Sequence, residues 1–190
     1  KKEKIADFKT AISSTVRSLS NSEKIEVSFG NDGSKSGINS IKLPELSPIN
    51  NKFNYNQIRA LADSKSLRHR FSDPKIFKQF EPNGNISKQL YRISEKIRCE
   101  KIGTSYFKGV KNNIETFYQE RVNGLDLKSS EDKIVESFEN YLRTKFLDFE
   151  NNTQIDKKLK LYKKDLNEKF KDKIGQLNEF TLNQEKFNSL

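Results

Sequence analysis

The chain has 190 residues, which is enough for one domain with a sizeable core, and 33% of them are charged. Fourteen Phe and six Tyr argue against an intrinsically disordered chain, because such chains are poor in aromatic residues. The single Cys excludes an internal disulfide and suits a reducing cytoplasm, and no apolar run approaches the roughly eighteen residues that a transmembrane helix needs.

The net charge of +10 is concentrated in the middle of the chain. Residues 51–125 carry 15 basic and 7 acidic side chains, against 8 and 6 before them and 13 and 13 after them. Such a segment attracts anionic partners, which include nucleic acid, an acidic protein and an acidic segment of its own chain. Because its arginines are interleaved with acids and it has no recognisable nucleic-acid reader motif, a charge-mixed helical surface is the favoured interpretation.

The spacing of apolar residues over 1–50 predicts one helix followed by two strands. Apolar side chains recur every three or four residues over 3–20, which is the pattern of an amphipathic helix. The alternation changes to period two over 25–29, and a second short strand follows over 39–43 before Pro44. We therefore predict a β-hairpin that pairs these strands around a polar loop over 31–37 and rests on the helices.

The sequence pattern predicts helices in the rest of the chain. The first covers 58–71, Ser72-Asp73-Pro74 starts a short second one, and the third covers 87–102 and ends near Gly103. Further helices are predicted over 104–122, 130–149, 155–175 and 181–190. The fold class is thus α+β, predominantly helical with one small β-hairpin near the N-terminus. We expect a single domain with a helix and hairpin in 1–50, a basic helical core in 51–125 and charged C-terminal helices in 126–190.

Three charged residues of the 58–71 helix are candidates for structural or interaction roles. Arg59 and Asp63 are four residues apart and can pair on the surface. Arg68 shares a helical face with Leu61 and Phe71, so its guanidinium is expected to be partly buried. A buried cation needs a partner, because burying it unpaired costs several kcal/mol.

The 87–102 helix supplies candidate partners for Arg68. Glu100 continues the apolar stripe of that helix, whereas Glu95 and Arg98 lie three apart elsewhere and can pair with each other. We therefore predict that Arg68 bonds Glu100 first or Glu95 second. In the alternative, Arg68 reaches water and Glu100 pairs locally with one of the two neighbouring lysines, Lys96 or Lys101.

No catalytic, cofactor-binding or metal-binding residue is predicted. A metal site needs several converging ligands, and the chain has one His and one Cys. His69 is expected to be a surface or packing residue. Cys99 follows Arg98, which could lower its pKa, but an unreactive helix thiol is the favoured interpretation. "SFGNDGSKSG" lacks the spacing of a phosphate-binding loop and reads as the hairpin loop.

Four stretches of the sequence together resemble the amino-terminal region of the CobT family. "FKTAISSTVRSLSNSEKIEVSFG" resembles that family's opening helix and strand, and "IKLPEL" and "IRALADSKSLRHRF" resemble its next strand end and helix. "YRISEKIRCEKIG" resembles its "E-x-x-R-x-E-x-x-G" helix, and fainter similarity continues through "RVNGLDL", "YLRTKF" and "NQEKF". The sequence departs from the family at Ala60, where a glycine is usual, and Arg70 and Phe71 are not typical.

The resemblance implies a subunit of the aerobic, ATP-dependent cobaltochelatase, a ligase that inserts Co²⁺ into hydrogenobyrinic acid a,c-diamide during cobalamin biosynthesis. It implies an assembling, non-catalytic part of an oligomeric cytoplasmic complex. The expected partners are a CobS-like AAA+ ATPase and a CobN-like large subunit. No association with a membrane is expected. ATP, Mg²⁺ and Co²⁺ then belong to the complex, and no cofactor is expected in this region.

The resemblance also implies that a von Willebrand A domain lies beyond Leu190, so we expect the chain to be part of a longer protein. Two other functions stay open: a basic helical module that binds nucleic acid through 51–125, and a generic protein-interaction adaptor.

Overall fold

The structure is a computed structural model that describes residues 2–30, 37, 39–49, 52–127, 129–150, 157 and 160–190. Within these ranges the chain forms eight helices and four short strands, so the predominantly helical α+β class is confirmed. The helices are α1 (Lys2–Ser20), α2 (Tyr55–Phe71), α3 (Pro74–Gln79), α4 (Asn85–Tyr106), α5 (Lys108–Asn123), α6 (Ser130–Phe146), α7 (Lys160–Glu179) and α8 (Gln184–Ser189).

The two predicted strands pair with each other, but the predicted hairpin orientation is wrong. Strand β1 (Glu26–Phe29) runs parallel to β2 (Ser40–Leu43), with Val27 opposite Ile41. A strand of four residues is about 13 Å long, and the ten residues between the two strands are enough to return the chain over that distance. The chain therefore enters β2 in the same direction as β1. Of the predicted loop over 31–37, all but Gly37 lies outside the described residues.

A second pair of strands lies just beyond. Strands β3 (Pro48–Ile49) and β4 (Lys52–Phe53) are antiparallel, and neither was predicted from the sequence. The side chain of Asn54 accepts a hydrogen bond from the Ser47 backbone N–H at 3.0 Å and so closes this small ladder immediately before α2.

The apolar face of α1, both strands of the parallel sheet and the first half of α2 enclose the smaller of two cores. Its buried side chains are Ile12, Val16, Ile25, Ile41, Leu43, Leu46, Ile58 and Ala62. The larger core lies between the second half of α2 and helices α4, α5, α6 and α8, with α7 packed against it. Helix α2 contributes to both cores, through Ile58 and Ala62 on one side and Leu67 on the other.

Gly103 does not end its helix, contrary to the sequence-based expectation. Helix α4 continues through it to Tyr106, and α5 begins at Lys108. A Cβ atom at position 103 would lie 2.8 Å from Cγ of Leu67 and closer still to both δ-methyl groups, so glycine is needed there for close packing of α4 against α2. In the described part of the chain, no helix is both long enough and apolar enough to cross a bilayer.

Candidate functional site

Helix α4 carries three charged side chains in the interior. Glu95 and Glu100 are each 0% exposed and Arg98 is 1% exposed. Charges at this depth are tolerated only when each is paired and hydrogen-bonded. The partners of these residues therefore define the site.

Arg98 forms the first ion pair, with Glu95 on its own helix. Its Nε and Nη2 donate to the two carboxylate oxygens of Glu95, both at 2.8 Å, as predicted. The same guanidinium donates to the backbone oxygens of Thr181 at 3.0 Å and Phe71 at 2.5 Å. Burial alone would lower the pKa of Arg98, but the hydrogen bonds and charge of Glu95 outweigh it and the pKa is raised. Arg98 thus joins α4 to the end of α2 and to the segment that precedes α8.

Glu100 belongs to a second, larger ion-pair network that joins α2, α4 and α6. It accepts from the Ser64 hydroxyl at 2.6 Å and from Nη1 of Arg143 at 2.8 Å. Arg143, whose side chain is 2% exposed, also donates from Nε to Glu139 at 2.9 Å. Arg121 on α5 donates to Glu139 at 2.9 Å. Helices α2, α4, α5 and α6 are therefore connected to one another by charge-assisted hydrogen bonds.

Glu139 is the point where three cations meet. Burial by itself would raise the pKa of its carboxyl group, but Lys96, Arg143 and Arg121 together hold that pKa well below its usual value. Lys96 lies 3.4 Å from the carboxylate. The carboxylate therefore stays ionised in the folded protein at neutral pH.

Arg68 is partly buried, as predicted. The predicted bond from Arg68 to Glu100 or Glu95 is wrong. Its guanidinium lies over the ring of Phe77, 4.8 Å from the centroid, and in the described part of the chain it forms no ion pair with Glu95 or Glu100. Each carboxylate already has its own arginine. The alternative for Glu100 is also wrong, since Lys96 reaches Glu139 and Lys101 donates to the backbone oxygen of Phe146.

Asp63 is buried rather than exposed, so the expected surface pair with Arg59 is wrong. It is 3% exposed and accepts from Nδ2 of Asn113 on α5 at 2.8 Å. Arg59 is exposed and lies over the ring of Phe8, 5.6 Å from its centroid. Burial raises the pKa of Asp63 to about 6, although the Asn113 hydrogen bond and the charge of Arg59 partly oppose this rise.

Arg143 and Glu139 were missed from the sequence, and a pattern in α6 could have indicated them. They are four residues apart and lie directly beside the apolar stripe of α6, which consists of Phe138, Leu142 and Phe146. A charged pair at the border of a stripe is ordinary on a surface helix. Here α6 is covered on that side by α4 and α5, and this can be known only from the tertiary structure.

Cys99 is a buried helix thiol. The thiol is 0% exposed, and its burial, together with the charge of Glu95, raises its pKa far above the usual value despite the neighbouring Arg98. His69 is half-buried, and its Nδ1 is buried without a hydrogen-bond partner. In the described ranges no three His, Cys, Asp or Glu side chains are grouped in a way that could hold a metal ion.

The burial of charges is uneven and strengthens the basic character of the surface. Three of the seven acids in 51–125 are buried, namely Asp63, Glu95 and Glu100. Of the basic side chains that the structure describes in that segment, only Arg98 is buried. The surface formed by 51–125 is therefore more basic than its composition indicates.

Comparison with known proteins identifies the family. The family model described as "Cobalamin biosynthesis protein CobT" matches residues 2–190. The chain belongs to the CobT family. Its role is therefore in cobalamin biosynthesis. No solved structure matches the chain.

The family resemblance of the sequence falls on the elements that build the site. The CobT-like "YRISEKIRCEKIG" stretch is the central part of α4, which carries both buried glutamates, Arg98 and the close-packed Gly103. The CobT-like "IRALADSKSLRHRF" stretch is most of α2, which supplies Ser64 and Leu67 to the same contacts. The residues that carry the resemblance are thus those that fix α2 on α4.

Proposed function

We propose that this chain is the assembling part of a CobT-type subunit of the ATP-dependent cobaltochelatase, and that it binds the CobS-like AAA+ ATPase. The observation that carries the proposal is the match of the CobT family over residues 2–190. At the level of the complex the reaction is insertion of Co²⁺ into hydrogenobyrinic acid a,c-diamide with ATP hydrolysis. This chain contributes a binding surface, while the ATPase and the CobN-like large subunit contribute the chemistry.

Two features of the structure support an assembling role. The ion pairs of Arg143 and Arg121, with the Ser64 hydroxyl, connect α2, α4, α5 and α6, and a well-connected body transmits orientation between partners better than a loose one. The basic surface of 51–125 is the second feature. It would meet an acidic surface on the ATPase, since charge complementarity speeds encounter and fixes orientation.

The proposal is tested by reconstituting cobalt insertion from the three purified subunits. One reaction contains the intact CobT-type protein and the other a variant from which residues 2–190 have been deleted. We expect the deletion to abolish both co-elution with the AAA+ ATPase and ATP-dependent cobalt insertion.

A competition experiment provides the matched control. The 190-residue chain, added in excess to the intact complex, should inhibit insertion because it occupies the ATPase without the rest of the subunit. Co-elution and insertion at undiminished rates with the deletion variant would contradict the proposal.

A further inference from the structure

A pocket of about 570 Å³ opens between β2 and the α2–α3 corner, away from the buried ion pairs. Its apolar side chains are Ile41, Pro74 and Phe77, and its cations are Lys42, Lys65 and Arg68. This volume lies within the range of about 300–1,000 Å³ that is usual for small-molecule sites. The combination of apolar walls and several cations distinguishes it from a merely charged surface.

Among the residues that the structure describes, no carboxylate forms an ion pair with the cations of the pocket. Among the lining residues that the structure describes, none is Asp or Glu. Arg68 contacts the face of Phe77, and Nζ of Lys65 donates to the backbone oxygen of Lys42 at 2.5 Å. Burial lowers the pKa of Lys65, as expected for a cation that has lost water without gaining a carboxylate. The pocket thus holds positive charge that only a ligand from outside the described residues would neutralise.

His69 adds a polar group to the same wall. Its Nδ1 is buried and has no hydrogen-bond partner among the described residues. The Phe77 ring has two neighbours of its own, since the Arg68 guanidinium lies over it and Tyr91 stacks on it with the ring centroids 4.8 Å apart. A ligand would therefore meet an aromatic ring that already has contacts within the protein, together with Pro74.

We propose that this pocket binds a small organic anion in which a phosphate or carboxylate group is attached to an apolar body. The anionic group lies between Arg68 and Lys65, and the apolar body lies against Pro74 and Phe77. The guanidinium of Arg68 suits either head group, because it presents several donors in one plane. This ligand site goes beyond the assembling role and does not depend on it.

His69 makes the test specific, because it is the only histidine of the chain and its imidazole proton resonances report on this pocket alone. The 190-residue chain is titrated with phenyl phosphate, benzoate and inorganic phosphate while these resonances are followed by NMR. We expect saturable shifts with phenyl phosphate or benzoate, and at least about tenfold weaker binding of inorganic phosphate, which has no apolar body. The tighter of the two organic probes identifies the head group.

Two variants of α2 form a matched pair. Arg68→Gln is expected to weaken binding of the better probe by at least about tenfold, since it removes a charge-assisted contact. Arg59→Gln removes the same charge from an exposed position of the same helix and should leave the affinity within about twofold. Circular dichroism checks that each variant is folded. If Arg68→Gln does not fold, Lys65→Gln repeats the test at the second cation of the proposed head-group site.

Three results would overturn the site: no saturable shift with any probe, inorganic phosphate binding as tightly as the organic probes, or an equal loss of affinity in the Arg59→Gln variant. The last two results would show attraction to surface charge without a pocket.

Discussion

Arg143 is buried as deeply as the phenylalanines around it, and this is possible only because two carboxylates lie within 2.9 Å of its guanidinium. Replacing a whole buried ion pair by apolar side chains is often neutral, whereas removing one partner leaves an uncompensated charge. The contribution of such residues is therefore best measured by removing a single member.

Arg143→Met is expected to lower the free energy of unfolding by about 3–5 kcal/mol, because it leaves both Glu100 and Glu139 buried without this partner. Urea denaturation of the chain measures the loss. Lys164→Met is the control: its side chain is 83% exposed and lies 3.9 Å from Glu168, so it should cost less than about 1 kcal/mol. Equal losses in the two variants would show that the buried network does not stabilise the fold.

Asp63 gives a pH dependence with a definite sign. Its pKa is raised from 3.8 to about 6 in the folded protein, so between these values the folded state holds a proton that the unfolded state has lost. Stability due to Asp63 is therefore present below about pH 4 and is lost as the pH rises to about 6. The Asp63→Asn variant has no carboxyl group to lose a proton here. Its free energy of unfolding, relative to that of the unsubstituted chain, should therefore rise by about 2–3 kcal/mol between about pH 4 and about pH 6.

The measurement is urea denaturation of both proteins at several pH values between 4 and 7. Asp172→Asn is the control, since it makes the same chemical change at an exposed position of α7. A constant difference between the Asp63→Asn variant and the unsubstituted chain at all pH values would contradict the assignment.

Some of these residues were predictable from the sequence and others were not. Glu95 and Arg98 are three apart on one helix, so their pairing follows from helical geometry alone. Arg68 was placed correctly on a partly buried face, but Glu100 already had an arginine from α6, 43 residues further along the chain. Sequence spacing says which residues share a face of one helix, and it does not say which helix covers that face.

At the scale of the elements, the crossing of α2 and α4 depends on Gly103. Leu67 is 0% exposed and fills the space where a side chain at 103 would begin. The sequence favoured a helix end there, because glycine is common just after helices. The same residue is equally suited to a close helix–helix contact, and only the position of α2 distinguishes the two.

Gly103→Ala is expected to lower the free energy of unfolding by about 1–3 kcal/mol through overpacking against Leu67. Gly175→Ala is the control, since a Cβ at position 175 of α7 meets nothing within 4 Å. It should instead stabilise the chain by up to about 1 kcal/mol, because alanine is the better helix former. Thermal denaturation of both variants would show midpoints moving in opposite directions. A stabilising Gly103→Ala would mean that α2 and α4 are further apart.

The strands show a different limit of sequence-based prediction. Period two fixed which side chains of β1 and β2 face the core, and Ile41 and Leu43 are buried as expected. The alternation is the same whether a strand is read forwards or backwards, so it left the parallel orientation undetermined. A polar stretch between two strands favoured the hairpin, which is the commoner solution for short connections.

At the scale of the whole molecule, two contacts bring distant parts of the chain together. Helix α2 belongs to both cores. The C-terminal segment is joined to the end of α2 by Arg98, which donates to the backbone oxygen of Thr181. Gln184 adds two hydrogen bonds with the backbone of Asp73, at 2.7 and 3.0 Å. The segments 1–50, 51–125 and 126–190 therefore share contacts through α2. The surface they present, rather than any one segment, is what a partner would bind.

We propose that this CobT-family chain binds the AAA+ ATPase subunit and does not act through nucleic acid. The most direct measurement is equilibrium binding of the chain to the purified ATPase, and to duplex and single-stranded DNA, at about 50 and about 200 mM salt. We predict saturable binding to the ATPase at both salt concentrations and only weak, non-specific binding to DNA. Tight DNA binding that falls steeply with salt, together with no binding to the ATPase, would contradict the account.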